Sequence, residues 1–217
     1  MNIILFGATG MVGKGVLRQC LLDPAVESVL SIGRKPSGIS DPKLRDLVRT
    51  DMFNFDPPTD DLLGYDTCFF CLGVSSAGMS EADYTHLTYD LTMGWARALE
   101  KVNPALVFLY VSGMGTGGNS MWARVKARTE NDLLALFPAA VMIRLGALRP
   151  MHGERSKAPA LAFLLSLFSP LWPILQALWP SGVITTEELG RAMILAAHSG
   201  SPNRILESPD LVALGRS

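Results

Sequence analysis

Asn2 leads an apolar run, Ile3-Ile-Leu-Phe6, that passes directly into Gly7-Ala-Thr-Gly-Met-Val-Gly13 and from there into a helical pattern. A strand feeding a glycine-rich turn and then a helix leaves few folds open, because each glycine has its own geometric task. In this GxxGxxG spacing Gly7 allows a sharp turn, Gly10 lets the backbone approach a pyrophosphate, and Gly13 lets helix and strand pack closely. Thr9, Met11 and Val12 complete the turn. The phosphates of a dinucleotide would lie against the unpaired N–H groups at the positive end of the helix.

The rest of the chain repeats the alternation. Short apolar runs predict strands at Asn2–Phe6, Ser28–Gly33, Asp46–Arg49, Thr67–Leu72, Leu106–Ser112 and Ala140–Arg144. Helical patterns at Val12–Leu22, Ser80–Lys101 and Met121–Leu136 are long enough for right-handed crossovers, and Asp41–Leu47 reads as a further short helix. The class is therefore α/β, a doubly wound, mainly parallel sheet with a small helical C-terminal cover. With 48% apolar and only 18% charged residues, the 217-residue chain is less charged than an ordinary soluble domain, where charge is about a quarter. Strands buried on both faces account for that, as in Thr67-Cys-Phe-Phe-Cys-Leu72. One domain, residues 1–217, is expected. A net charge of −1 offers no electrostatic reason for a nucleic-acid partner.

Cys20, Cys68 and Cys71 imply neither a disulfide framework nor a metal site. The CxxC pair lies inside a strand, where residues three apart face opposite sides, and no second pair completes a ligand set. The start of the chain shows no basic stretch and no cleavage site, so a cytoplasmic location is the default expectation.

Residues 158–179 carry no charge, and 16 of the 22 are apolar. Pro170 and Pro173 would break a single spanning helix there. Residues 150–200 are accordingly expected to form a helical cover over the substrate site or an oligomer interface, with membrane contact the less favoured use. Thr185 and Glu188 have capping-box spacing and open a helix running to about His198. A strand at Arg204–Glu207 and a helix from Pro209 close the chain.

About twenty residues beyond Gly13 an NAD site usually carries an acid for the ribose hydroxyls, but this chain has Arg34 and Lys35. Two adjacent cations suit the extra phosphate of NADP(H), with NAD(H) second. Asp51 is placed to bond the adenine amine. Leu72 and Gly73, at the end of the fourth strand, and Lys126, in reach of the nicotinamide ribose, complete the cofactor-binding set.

The GATGMVG turn, GRKP after the second strand, CFFCLGVSSAG at the fourth, and Ser112 followed by Lys126 occur in order. The chain thereby resembles the atypical short-chain dehydrogenase/reductases, within them the Tat-interacting-protein-like oxidoreductases near the NmrA-like group. The likeness covers about residues 1–150 and implies a Rossmann fold, NADP(H) binding and reduction of a small organic carbonyl. It also implies a Ser at the end of the fifth strand and a Tyr-x-x-x-Lys on the next helix. Ser112 and Lys126 match, but Trp122 stands in the tyrosine's place, and an indole N–H does not titrate in the useful range. Substitute proton donors are Tyr84 and His152, whereas Tyr110, two residues before Ser112, reads as packing. The loops 73–78, 113–120 and 146–153 would line an apolar or aromatic substrate, with Arg149 and Arg155 available to an acidic one. The function that follows is an NADP(H)-dependent oxidoreductase, possible as a homo-oligomer. The alternative is a catalytically weak NADP(H)-binding sensor.

Overall fold

The computed structural model describes residues 1–56, 59–154, 179, 181–201 and 203–217. In chain order the elements are β1 (Asn2–Phe6), α1 (Met11–Leu22), β2 (Ser28–Gly33), β3 (Leu44–Val48), α2 (Thr59–Leu62), β4 (Thr67–Phe70) and α3 (Glu81–Thr85). A π-helical turn (His86–Asp90) joins α3 to α4 (Leu91–Val102), followed by β5 (Val107–Val111), α5 (Met121–Leu136), β6 (Val141–Arg144) and β7 (Ala147–Arg149). The chain closes with β8 (Val183–Thr185), α6 (Thr186–Ser199), β9 (Ile205–Glu207) and α7 (Ser208–Arg216).

Seven strands form one parallel sheet in the order β3-β2-β1-β4-β5-β6-β9. The order reverses between β1 and β4, and in an open α/β sheet ligands bind at the carboxyl edge beside that switch point. Alternate strand residues feed two separate cores, which explains the near-continuous apolar runs. Ile3, Leu5, Phe69 and Leu109 pack with α1, α6 and α7 on one face. Ile4, Phe6, Phe70 and Phe108 pack with α3, α4 and α5 on the other. Cys68 belongs to the second core and Cys71 packs against the first, so the CxxC spacing divides across the sheet.

Three local expectations are corrected. Asp41–Leu47 is not a helix: the Asp41 carboxylate accepts the Lys43 N–H at 2.8 Å, making a local turn, and β3 starts at Leu44 as an edge strand. The helix expected from Ser80 is capped as anticipated, with Ser80 accepting the Asp83 N–H, but it is interrupted by the π turn. Part of the loop expected at 146–153 is a strand, β7, paired in parallel with β8 from far along the chain. The Thr185–Glu188 capping box forms in full. Of residues 150–200, α6 packs on α1 and α7: a β-carbon on Gly15 would lie 2.5 Å from Thr186 Cβ. Apart from Trp179, the apolar segment 158–179 lies outside the described residues, as does Arg155. No helix among the described residues is long and apolar enough to cross a membrane.

Candidate functional site

The glycine turn sits at the switch point, held by close backbone packing. Gly7 has φ +86°, and a β-carbon there would lie 2.8 Å from the Cys71 carbonyl carbon and oxygen. That contact presses the exit of β1 against the exit of β4. A β-carbon on Gly13 would come within 2.1 Å of the Gly7 carbonyl oxygen, and the Gly10 N–H donates to the same oxygen at 2.9 Å. Gly10 caps α1 without a side-chain hydrogen bond, and no acid lies in the first turn. The N–H groups of Met11, Val12 and Gly13, which the helix cannot use itself, are left to an anion at its positive end. These residues fit a pyrophosphate. Thr9 is half-buried in the turn. Cys71 lies against it, but loss of solvent pushes its thiol up to about 12, so it is not a reactive thiolate.

Arg34 and Lys35 are exposed just past β2. Their loop is fixed by Asp46, whose Oδ2 accepts the Ser37 N–H at 3.0 Å and hydroxyl at 2.8 Å. Asp51 is exposed and accepts the Phe53 N–H at 2.8 Å, while Trp95 Nε1 donates to the Met52 carbonyl at 2.9 Å and anchors that loop to α4. Leu72 is half-buried and Gly73 exposed, with open space where a side chain would stand on Gly73.

Ser112 directly follows β5 and is 6% exposed. Its hydroxyl donates to Glu130 Oε1 at 2.6 Å. Glu130 is 1% exposed and is engaged by Arg144 from β6, with Nη2 at 2.7 Å and Nε at 3.2 Å from both carboxylate oxygens. Arg144 also reaches Glu207 at 3.2 Å. Lys126, one turn before Glu130 on α5, is half-buried, and its Nζ lies 5.9 Å from the centre of the Tyr110 ring. Desolvation lowers its ammonium to about 8, against the opposing pull of Glu130. Trp122, a further turn back, lies along the Gly113–Gly115 backbone: a β-carbon on Gly115 would be 3.5 Å from its ring.

The two substitute donors expected from the sequence are placed elsewhere. Tyr84 is 2% exposed in the core with Phe70 and Tyr110, and burial raises its phenol, so it does not present a proton to the cleft. His152 pairs through Nε2 with Glu187, which in turn faces Arg18 of α1. Tyr110, 1% exposed, packs as expected. Arg149 lies on β7. The sequence reading missed Glu130, Arg144 and Glu207. Glu130 stands four residues after Lys126, hence on the same helix face, and that spacing was the available signal. A hollow of about 380 Å³ opens beside α4, between Phe55, Tyr89, Gly94 and Arg97, but none of the glycine turn, Ser112 or Lys126 lines it.

No family model matches the chain. A relative named protein fmp52, mitochondrial, from Aspergillus clavatus is 30% identical over 177 residues, 77% of this chain and 75% of the relative. Its Aspergillus fumigatus counterpart is 30% identical over 73% of this chain and 71% of its own length. The Candida albicans protein of that name aligns over 100% of this chain and 99% of itself at 25% identity. Among solved structures, MoeE5 in complex with UDP-glucose and NAD superposes with a TM-score of 0.69 at 17% identity, covering 95% of this chain and 75% of that one. A UDP-glucose 4-epimerase from Thermotoga maritima gives 0.70 at 13% identity, covering 100% and 82%. These structures establish the Rossmann-like fold. The expected cytoplasmic location is overturned by the relatives, each of which is named mitochondrial. On the strength of the two 30% matches, each spanning more than two thirds of both partners, the chain belongs to the FMP52 protein family.

Proposed function

We propose that the chain is an NADP(H)-dependent oxidoreductase of the atypical short-chain type, acting on a small apolar or aromatic substrate. The observation that carries this reading is the turn at Gly7–Gly13, whose backbone contacts leave no room for side chains and whose three helix amides are unclaimed. In it Gly7, Thr9, Gly10, Met11, Val12 and Gly13 hold the pyrophosphate. Arg34 and Lys35 grip the ribose phosphate, Asp51 meets the adenine amine, and Leu72, Gly73 and Lys126 face the nicotinamide end. When bound, the reduced cofactor supplies a hydride. The chain orients the substrate between Ser112 and Trp122, within a single unit spanning 1–217. NAD-bound neighbours of the same fold support a nicotinamide cofactor, the resemblance to Tat-interacting-protein-like oxidoreductases supports the reaction class, and the relatives' names support a mitochondrial setting.

A second reading, an NADP(H)-binding sensor with little turnover, is favoured by one observation: an indole lies where the resemblance requires a phenol. Both readings rest on NADPH binding and are separated by turnover. Charge-assisted contacts contribute about 1.5–3 kcal/mol each, so reversing Arg34 and Lys35 to Glu is expected to weaken NADPH by roughly 10²-fold or more. NADH should change far less. Equal losses for the two cofactors would overturn the phosphate assignment. NADPH oxidation with flavins, quinones and aromatic aldehydes then decides: turnover supports the enzyme, and binding without turnover supports the sensor.

A further inference from the structure

Resting on the oxidoreductase reading, we propose that Lys126 itself exchanges the proton with the substrate oxygen, while Glu130 takes the Ser112 proton and leaves that hydroxyl unable to serve as the donor.

A serine hydroxyl has one proton, and that of Ser112 goes to Glu130 at 2.6 Å. Glu130 is itself held by Arg144, whose guanidinium donates to both of its oxygens. Ser112 Oγ therefore offers only lone pairs and receives a hydrogen bond from an O–H or N–H. It cannot protonate an alkoxide. The indole of Trp122 cannot do so either, the phenols of Tyr84 and Tyr110 are 2% and 1% exposed, and His152 is paired with Glu187. Lys126 is left. Glu130 faces it from its own helix and Tyr110 faces it from β5, while Arg144, not Lys126, takes the carboxylate. With the ammonium lowered by desolvation to about 8, both protonation states are populated near neutrality, which is what proton transfer in either direction requires.

In reduction the carbonyl carbon receives the hydride and the C=O π pair moves to oxygen. An O–H bond forms as a Lys126 N–H bond breaks. The neutral amine regains its proton from water. The carbonyl is reduced to an alcohol and the nicotinamide oxidised, and alcohol oxidation runs the same steps backwards, with neutral Lys126 taking the hydroxyl proton.

The test uses the full chain in two ways. Competitive acetylation of the wild type with acetic anhydride, read by mass spectrometry with and without NADPH, should show Lys126 becoming reactive around pH 8. Second, reduction of 9,10-phenanthrenequinone and of aromatic aldehydes is followed in Lys126→Arg, which keeps the cation but cannot release its proton. NADPH affinity should be largely kept while turnover falls by about 10²–10⁴-fold. Methylamine should restore part of the turnover of Lys126→Ala. The proposal is overturned if Lys126 is unreactive around pH 8, if Lys126→Arg keeps more than about a tenth of turnover, or if amines give no rescue. Failure of NADPH to bind at all, or binding without any reduction by the wild type, would instead remove the oxidoreductase reading.

Discussion

Replacing Glu130 with Ala should unfold this protein at a clearly lower temperature without touching either glycine turn or basic pair. Glu130 is 1% exposed and sits between the Ser112 hydroxyl at 2.6 Å and Arg144 Nη2 at 2.7 Å. Removing one member of a buried pair costs about 3–5 kcal/mol, because the other charge is left without its partner. Two features pull toward the lower end. The Arg144 side chain keeps 22% of its exposure, and Glu207 remains 3.2 Å away. Ser112 is left with only the Ile143 carbonyl at 3.4 Å. A loss of about 3 kcal/mol is expected, or roughly 6–12 °C in Tm for a chain of this size. Glu130→Gln, which still accepts from Ser112 but carries no charge, should fall between. Thermal and urea melts followed by circular dichroism at pH 7 give the numbers, and a cycle with Arg144→Met should show coupling of about 1–3 kcal/mol. A Glu130→Ala protein within about 0.5 kcal/mol of wild type, or strict additivity with Arg144→Met, would refute the reasoning.

Gly13→Ala places a β-carbon 2.1 Å from the Gly7 carbonyl oxygen, so it should abolish measurable NADPH binding and lower Tm; retained affinity in a calorimetric titration would contradict the packing argument. Thr185→Ala removes the α6 capping box and is expected to cost about 1 kcal/mol in a urea melt. Burial alone would raise the Glu154 carboxyl, but N–H donors of His152, Glu154 and Met151 and the Thr186 hydroxyl outweigh it and hold the group below its ordinary 4.5. A depressed folded value means stabilisation that is complete above the unfolded value and lost as pH falls through the folded one. Glu154→Gln should thus be less stable than wild type at pH 7, with the gap in Tm closing as pH falls through the depressed folded value. Trp122→Tyr returns a phenol one turn from Lys126 and should raise quinone reduction by about tenfold or more; an unchanged rate would place residue 122 outside the reacting region.

The turn at Gly7–Gly13 was legible because its contacts are backbone to backbone and only glycine fits them. The two-core sheet was legible because every interior strand is apolar on both faces. Asp41–Leu47 misled because an edge strand is only half-buried and its Leu44 and Leu47 spacing imitates a helix. β7 and β8 were invisible because three-residue strands have no period and their pairing joins Arg149 to Thr185 across the chain. At the site, Ser112, Trp122 and Lys126 were found from a motif that ends at the lysine. Glu130 lies one turn beyond, and its role depends on Arg144 arriving from β6, a juxtaposition that only the sheet order creates. His152 looked free for chemistry because its partner, Glu187, is thirty-five residues away.

Calorimetric titration of the wild-type chain with NADPH decides whether the glycine turn and the basic pair hold this cofactor. Saturable binding at one site per chain, tighter for NADPH than for NADH, is expected. Absence of saturable binding, or equal affinity for the two, would contradict it.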